Sequence, residues 1–472
     1  LNHIYGEIMN KNANDYKSVA EYALKKTSKL ASYAEVFLQH YLSYSYAIEQ
    51  GIINGGAFSD RGGLRIRIIK DGNLFTLSTD QVTKDSVDKI LSNITSFKSK
   101  KVNLSKEKRE KANIIIKPKK EVSEEKLLNH LSELDKQLKN SKNVKYRSIY
   151  GDFTNLENTF MNSEGSLINS VTPYTTLYIL MIVGVAKESR QRFLQLGGTG
   201  GFELIDKANE NIEEEVKALN NIIENGTSIP NNEIRKIKNV VIAPEISGIA
   251  VHESVGHPNE ADRVFGREAA QAGRSYITKE NLGMKIGSSI VNIIDDPTLS
   301  GSYGFYLYDD EGVRARPKLL VKSGIQNELL LNREYAYELG LKSNASARSD
   351  SYSNEPIIRM SNTYLRKGDA SLDELISEAK NGIYVKSFTE WNIDDTRSFS
   401  LYQGNEAYLI KNGSIDKPVK NYKLESSTID FWNAVELLGN DFKLYLGTCG
   451  KGEPEQGVPV TMGGPSALLK FK

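Results

Sequence analysis

His252, Glu253 and His257 carry the clearest chemical capacity in this chain: two imidazoles five positions apart, with a carboxylate between them. Neutral imidazole binds zinc through nitrogen, and a carboxylate one residue from a ligand can take a proton from water and pass it to a leaving amine. The spacing is awkward for a regular helix. Residues advance about 100° each, so a histidine four along lies about 40° away, whereas one five along lies about 140° away and its ring diverges. Gly256 eases unwinding, and Pro258 pushes His257 out of α geometry. A one-residue π-bulge, with its i→i+5 bonding, would also restore the alignment. The spacing therefore predicts a distorted or ending helix over residues 255–258.

A catalytic zinc keeps three protein ligands and an open position, so two histidines leave one ligand to find. The only thiol, Cys449, lies in "LGTCGKGEPEQGVPV", which reads as a glycine-flanked turn after a strand over 442–446. Glu260 and Asp262, just past His257, compete with it. Tyr303, Tyr306 and Tyr308 in "GSYGFYLYDDEG" and Arg359 in "IIRMSNTY" are candidate donors to a developing oxyanion, although strand packing is the plainer role for tyrosine. His3, His40 and His130 read as structural or exposed. Two other readings compete with zinc hydrolysis. One makes Cys449 a nucleophile activated by a histidine, and the other is a non-catalytic peptide-binding subunit.

These residues need a scaffold. A chain of 472 residues is too long for one ordinary core, so two or three domains are expected. The pattern divides into a small N-terminal α+β domain (1–100), a basic linker (101–122), a middle α+β domain (123–235) and a large β-rich C-terminal domain (236–472) carrying the metal-site helix. In the first, a helix over about 15–30 precedes Leu64, Ile66 and Ile68 alternating with Arg65 and Arg67. Asp71-Gly72-Asn73 supplies a hairpin turn, and a second helix covers about 80–97. Ten basic residues between Lys98 and Lys120 face only Glu107 and Glu110. With no aromatics among them, they read as a solvated connection rather than a polyanion-binding arm.

In the middle domain Ser123 caps a helix with Leu127, Leu128, Leu131, Leu134 and Leu138 as its buried stripe. Strands follow through 144–196. "GGTGG" at 197–201 lacks the Lys-Ser/Thr of a phosphate cradle and reads as a flexible connection or a close backbone approach. A helix over about 202–225 ends at Gly226. "KNVVIAP" then reads as a buried strand leading through Pro244 into the helix that carries His252.

Composition bounds the partners. With 39% hydrophobic and 26% charged residues and a net charge of +1, nothing in the whole molecule points to nucleic acid or an acidic membrane. One cysteine excludes an internal disulfide and fits a reducing compartment. The first residues lack the apolar core of a signal peptide, and "TLYILMIVGVA" (176–186) is too short to span a bilayer. A cytoplasmic protein is expected.

The segments "HESVGHPNEAD", "DDEGVRARPKLLVKSGI", "RSDSYSNEPIIRMSNTYL", "NEAYLIKNGSI" and "LGTCGKGEPEQGVPVTMGGPS" resemble, in this order, the TldD/PmbA family of zinc-dependent proteases. "SDRGGLRIRIIKDGNLFTLST" looks like that family's first domain. The resemblance implies a zinc metalloprotease with one zinc per active subunit, held by His252, His257 and Cys449, and with Glu253 as general base. It favours Cys449 over Glu260 as third ligand. It further implies the active type rather than the degenerate paralogue, assembly as a homodimer or with a paralogous subunit, and unfolded or flexible peptides taken up as an added β-strand. One departure is visible. The family commonly has glycine after the second histidine, where Pro258 here fixes φ and removes an N–H.

Overall fold

The alternating run at 64–68 forms part of a long strand in an antiparallel meander. In this computed structural model, which describes residues 2–94, 101–234, 236–266, 268 and 274–472 and only the backbone of 2–14 and 231, β1 (Tyr33–Glu49) pairs with β2 (Ile52–Lys70), and β2 with β3 (Asn73–Thr79). Asp71 and Gly72, both at positive φ, make the two-residue turn between β2 and β3. Four more strands, β4 (Lys111–Ile115), β5 (Val144–Asn162), β6 (Leu167–Val185) and β7 (Glu188–Thr199), complete a seven-stranded sheet. Its order is β3-β2-β1-β5-β6-β4, with β7 pairing along the other half of β6. The N-terminal and middle parts of the chain thus share one sheet.

Four helices cover this sheet. α1 (Asn2–Thr27) and α2 (Lys84–Ser92) bury Val19, Ala20, Ala23, Val87 and Leu91 on Leu64, Ile66 and Ile68. α3 (Glu124–Asn140) and α4 (Ala208–Asn225) bury Leu127, Leu131, Leu134, Ile212, Val216 and Leu219 on Ile149, Leu177 and Ile179. The Ser123 hydroxyl accepts from the amide of Lys126 at 3.2 Å, which sets the start of α3. α2 and α4 are shorter than their apolar periodicity predicts, because Thr83 caps α2 and a 3-10 turn at Phe202–Leu204 stands before α4.

One further expectation needs correction. The basic segment is more than a solvated connection: its residues 111–115 form β4, in parallel with β6, while residues 95–100 lie outside the described residues. Arg65 and Arg67, on the other face of β2 from Leu64, Ile66 and Ile68, are also buried, at 1% and 2% exposed. The second face of β2 is covered by the C-terminal domain, where Arg65 donates to the Ser349 hydroxyl (2.7 Å) and the Asn354 carbonyl (2.9 Å). Arg67 bridges Glu35 (2.8 Å) and Glu311 (3.1 Å). "GGTGG" resolves as a close backbone approach. A Cβ on Gly198 would run into the Gly301 carbonyl, and one on Gly197 into the Thr175 carbonyl.

Among the described residues the C-terminal domain holds two large sheets with a helix between them, and a two-stranded one, Ala347–Arg348 with Ile357–Ile358. In the eight-stranded sheet, Asn239–Ile242 pairs in parallel with Gly382–Ile393 and antiparallel with Ala467–Lys470. The chain then enters the helix Pro244–Val251, with Pro244 in its first turn. This helix packs on Gly382–Ile393 from one sheet and on Asn362–Leu365, Lys443–Lys451 and Gln456–Gly464 from the six-stranded other. Contact is close because Gly248 has no side chain: a Cβ there would stand 3.0 Å from the amide nitrogen of Gly463. The Ser247 hydroxyl donates to the Pro465 carbonyl at 2.7 Å. The helix end and the strand that carries the cysteine are thereby held together. Among the described residues no helix is long and apolar enough to cross a membrane, and the run 176–186 lies almost wholly in β6.

Candidate metal centre

The helix does not continue past Val251 with α spacing. Residues His252–Gly256 form a π turn in which the amide of His257 donates to the carbonyl of His252, five residues back. A 3-10 turn, His257–Asn259, follows at once, with Pro258 inside it. The distortion therefore begins three residues before 255, ahead of the glycine and proline. Side chains support the widened turn: Ser254 Oγ donates to the Ala250 carbonyl (2.6 Å), Trp432 Nε1 to Ser254 Oγ (2.9 Å), and Asn259 Nδ2 to the Val255 carbonyl (2.8 Å). Gly256 is required for packing, since a Cβ there would overlap the buried Met360 sulfur. Gly256→Ala should lower stability by about 1–3 kcal/mol through overpacking, read from denaturant unfolding. An unchanged midpoint would mean that Met360 does not fill this space.

The extra residue brings the two rings together. Their centroids are 5.0 Å apart and the planes nearly perpendicular, at 83°. Cys449 is not in an exposed turn, as its glycine neighbours suggest, but inside the strand Lys443–Lys451, opposite Val458 and 5% exposed. Its Sγ lies 3.4 Å from His257 Nε2. The ligand atoms of His252, His257 and Cys449 all fall within 4.8 Å of one another. Donors around a tetrahedral zinc, at about 2.0–2.3 Å from the ion, stand roughly 3.5 Å apart. The Cys449–His257 pair already has that spacing, and small side-chain shifts close the remainder. Nδ1 of His252 is buried with no partner among the described residues, a cost that an ion or a water would relieve.

The electrostatics suit a cation. Burial holds His252 and His257 below the ordinary histidine value, in the neutral form that binds metal. Burial raises the Cys449 thiol, but His257 and Arg359 outweigh it and draw it down to about 7. Two nitrogens and an ionisable sulfur, shielded from bulk water, match the donor set of a zinc site.

Glu260 and Asp262, the competing ligands by sequence, stand one layer back. Glu260 Oε2 meets His257 Nδ1 (2.9 Å), Arg263 Nε (2.7 Å) and Lys451 Nζ (3.3 Å), while Asp262 takes Lys451 at 2.7 Å. Burial opposes ionisation of Glu260, yet Lys451, His257 and Arg263 hold it well below the usual carboxylate range. Glu253 lies in the π turn and is ion-paired with Arg397, both nearly buried. Arg397 sits at φ +64° in a turn organised by Asp394, and its carbonyl accepts from Thr428 Oγ1 at 2.7 Å. Nothing in "DDTRSFS" marks this arginine. Its partner is 144 residues away, and only the fold brings them together.

The candidate oxyanion donors are committed elsewhere. Arg359 donates to the carbonyls of Cys449 and Gln456, so it props the cysteine strand from behind. The Tyr306 hydroxyl donates to the Ala345 carbonyl (2.7 Å) and that of Tyr308 to Glu110 (3.2 Å). The Tyr303 ring packs edge-on against Tyr174, 5.9 Å away. His40 bonds Asp60 (2.6 Å) and His130 the Ile205 carbonyl (3.0 Å), both away from the centre, and the side chain of His3 lies outside the described residues.

Sequence comparison finds three consecutive matches to one family. These are PmbA/TldA metallopeptidase domain 1 over residues 34–94, the central domain over 117–223 and the C-terminal domain over 235–471. The chain belongs to the PmbA/TldA metallopeptidase family. Its C-terminal family domain contains all three donors and Glu253. A metalloprotease from Methanothermobacter thermautotrophicus is 36% identical over 320 residues, covering 66% of this chain and 65% of that protein, just under two thirds of its length. Another, from Methanocaldococcus jannaschii, is 28% identical over 93% of this chain and 96% of its own. A protein described as a zinc metalloprotease TldD homolog, from Saccharolobus solfataricus, is 36% identical over 49% of this chain and 50% of its own. Among solved structures, TldE from Thermococcus kodakarensis superposes with a TM-score of 0.77 at 18% identity, covering 96% of this PmbA/TldA chain and 99% of that one. At that identity the likeness concerns the three-domain α+β fold.

Proposed function

We propose that this PmbA/TldA metallopeptidase is a zinc-dependent protease of the active type, cutting peptide bonds in unfolded or flexible chains. The observation that carries the proposal is the convergence of His252, His257 and Cys449, with Glu253 next to the first of them. A zinc ion, when bound, supplies the positive charge that polarises a peptide carbonyl and makes a water easier to deprotonate. Glu253 accepts that proton and delivers it to the leaving amine. Arg397 holds one oxygen of Glu253, and among the described residues the other has no hydrogen-bond partner, which leaves it free for proton transfer. His252, Glu253, His257 and Cys449 are all buried, which shields the donor group from bulk water. The S. solfataricus relative, a zinc metalloprotease by name, supports the choice of metal. Pairing with a second copy or a paralogous subunit belongs to the same reading.

The Cys449–His257 contact of 3.4 Å favours one second reading, a thiolate nucleophile with His257 as its base. Chelation separates the two. Cleavage of an unstructured peptide should stop on removal of divalent metal and return with zinc. Cleavage that survives metal removal but not thiol alkylation would support the nucleophile instead.

A further inference from the structure

We propose that Lys451 is a positioning residue for the three-donor group and sets how tightly it holds a divalent ion; the inference rests on the metal reading above. Lys451 follows Cys449 by two residues on the same strand, so both side chains point to one face. It is fully buried, with its ammonium 2.7 Å from each oxygen of Asp262, 3.3 Å from Glu260 Oε2 and 2.8 Å from the Ile358 carbonyl. Glu260 and Asp262 in turn follow His257 by three and five residues. One ammonium therefore ties the strand that brings the sulfur to the turn that brings the imidazole, across the 189 residues between Asp262 and Lys451.

Holding strand to turn does not require charges. Packed apolar side chains in place of a buried ion network are often neutral or stabilising. What an apolar contact cannot do is choose the proton position on His257. Glu260 Oε2 stands 2.9 Å from His257 Nδ1 with Lys451 and Arg263 beside it, a placement that favours a proton on that nitrogen. The lone-pair nitrogen is then Nε2, the one 3.4 Å from Cys449 Sγ. Lys451 thus acts on both donors at once: it fixes the strand position of Cys449 and, through Glu260, the orientation and tautomer of His257. Glu260 Oε1 is buried without a hydrogen-bond partner among the described residues, so the charges of Lys451 and Arg263 on Oε2 are what hold this carboxylate.

The test is zinc affinity, measured by competition with a chromophoric chelator, together with thermal unfolding of the zinc-free proteins. Lys451→Met should weaken zinc binding by about 10–100-fold, the range typical of lost orienting partners. Asp262→Asn, which removes the main anchor of the lysine and keeps its shape, should weaken it by about tenfold and carries the test if Lys451→Met does not fold. Cobalt substituted into either variant should show an altered absorption spectrum. Folded variants that bind zinc within twofold of wild type, with only the zinc-free unfolding temperature lowered, would make Lys451 a structural lysine and overturn the inference. A wild type that binds no zinc is a different result: it removes the proposed function, and this inference falls with it.

Discussion

Glu253→Gln should lower peptide cleavage by about two to four orders of magnitude, the span expected for loss of a general base, while zinc content stays at the wild-type level. The amide keeps the shape of the carboxylate, and its oxygen can still accept from Arg397, so the turn that carries His252 has little reason to move. What is lost is the capacity to take a proton. The substitution also leaves the nearly buried Arg397 without its counter-charge, so some stability should go with it. Zinc analysis and an unfolding curve on the same preparation separate the effects: an inactive, folded, zinc-loaded variant is the expected outcome. Activity within threefold of wild type would remove Glu253 from the mechanism.

Cys449→Ala should have the other large effect, and on a different quantity. Two imidazoles without the sulfur make a poor structural match to zinc, so affinity should fall by more than about a hundredfold, beyond the range for outer partners, and metal-dependent cleavage should fall with it. Folding should largely survive. Exchanging one buried sulfur for hydrogen removes little volume, about 1 kcal/mol by analogy with single-methylene losses, within a hairpin whose register runs unbroken from Lys443 to Lys451. Metal analysis after exhaustive dialysis, beside the wild type, reads this directly. Equal zinc in both would mean that the sulfur is not a ligand.

The sequence made some of this arrangement legible and hid the rest, for physical reasons. The five-residue spacing of His252 and His257 fails on an α-helix by simple angular arithmetic, so a π turn or an unwound end could be expected, and a π turn is found. Cys449 was harder: its neighbours look like a turn, and only resemblance favoured it over Glu260, because no local pattern reports which strand will reach a histidine 192 residues earlier. Glu260 was visible as a carboxylate near the site but not as a hydrogen-bond acceptor, since its role depends on Lys451 from that same distant strand. Arg397 had no signal at all. In the scaffold, the alternation of Arg65 and Arg67 with apolar residues shows a strand, but period-2 patterning cannot tell water from a neighbouring domain whose Glu311 and Ser349 answer the charges. β4 was concealed by the lysines that surround it and by Lys111 at its start, which suit an exposed edge strand as well as they suit a linker.

The most direct test of the whole account is the X-ray absorption spectrum of the zinc-loaded protein at the zinc edge. The arrangement of His252, His257 and Cys449 predicts a first shell with one sulfur at about 2.3 Å and two imidazole nitrogens at about 2.0–2.1 Å. A shell of nitrogen and oxygen alone, without sulfur, would contradict it.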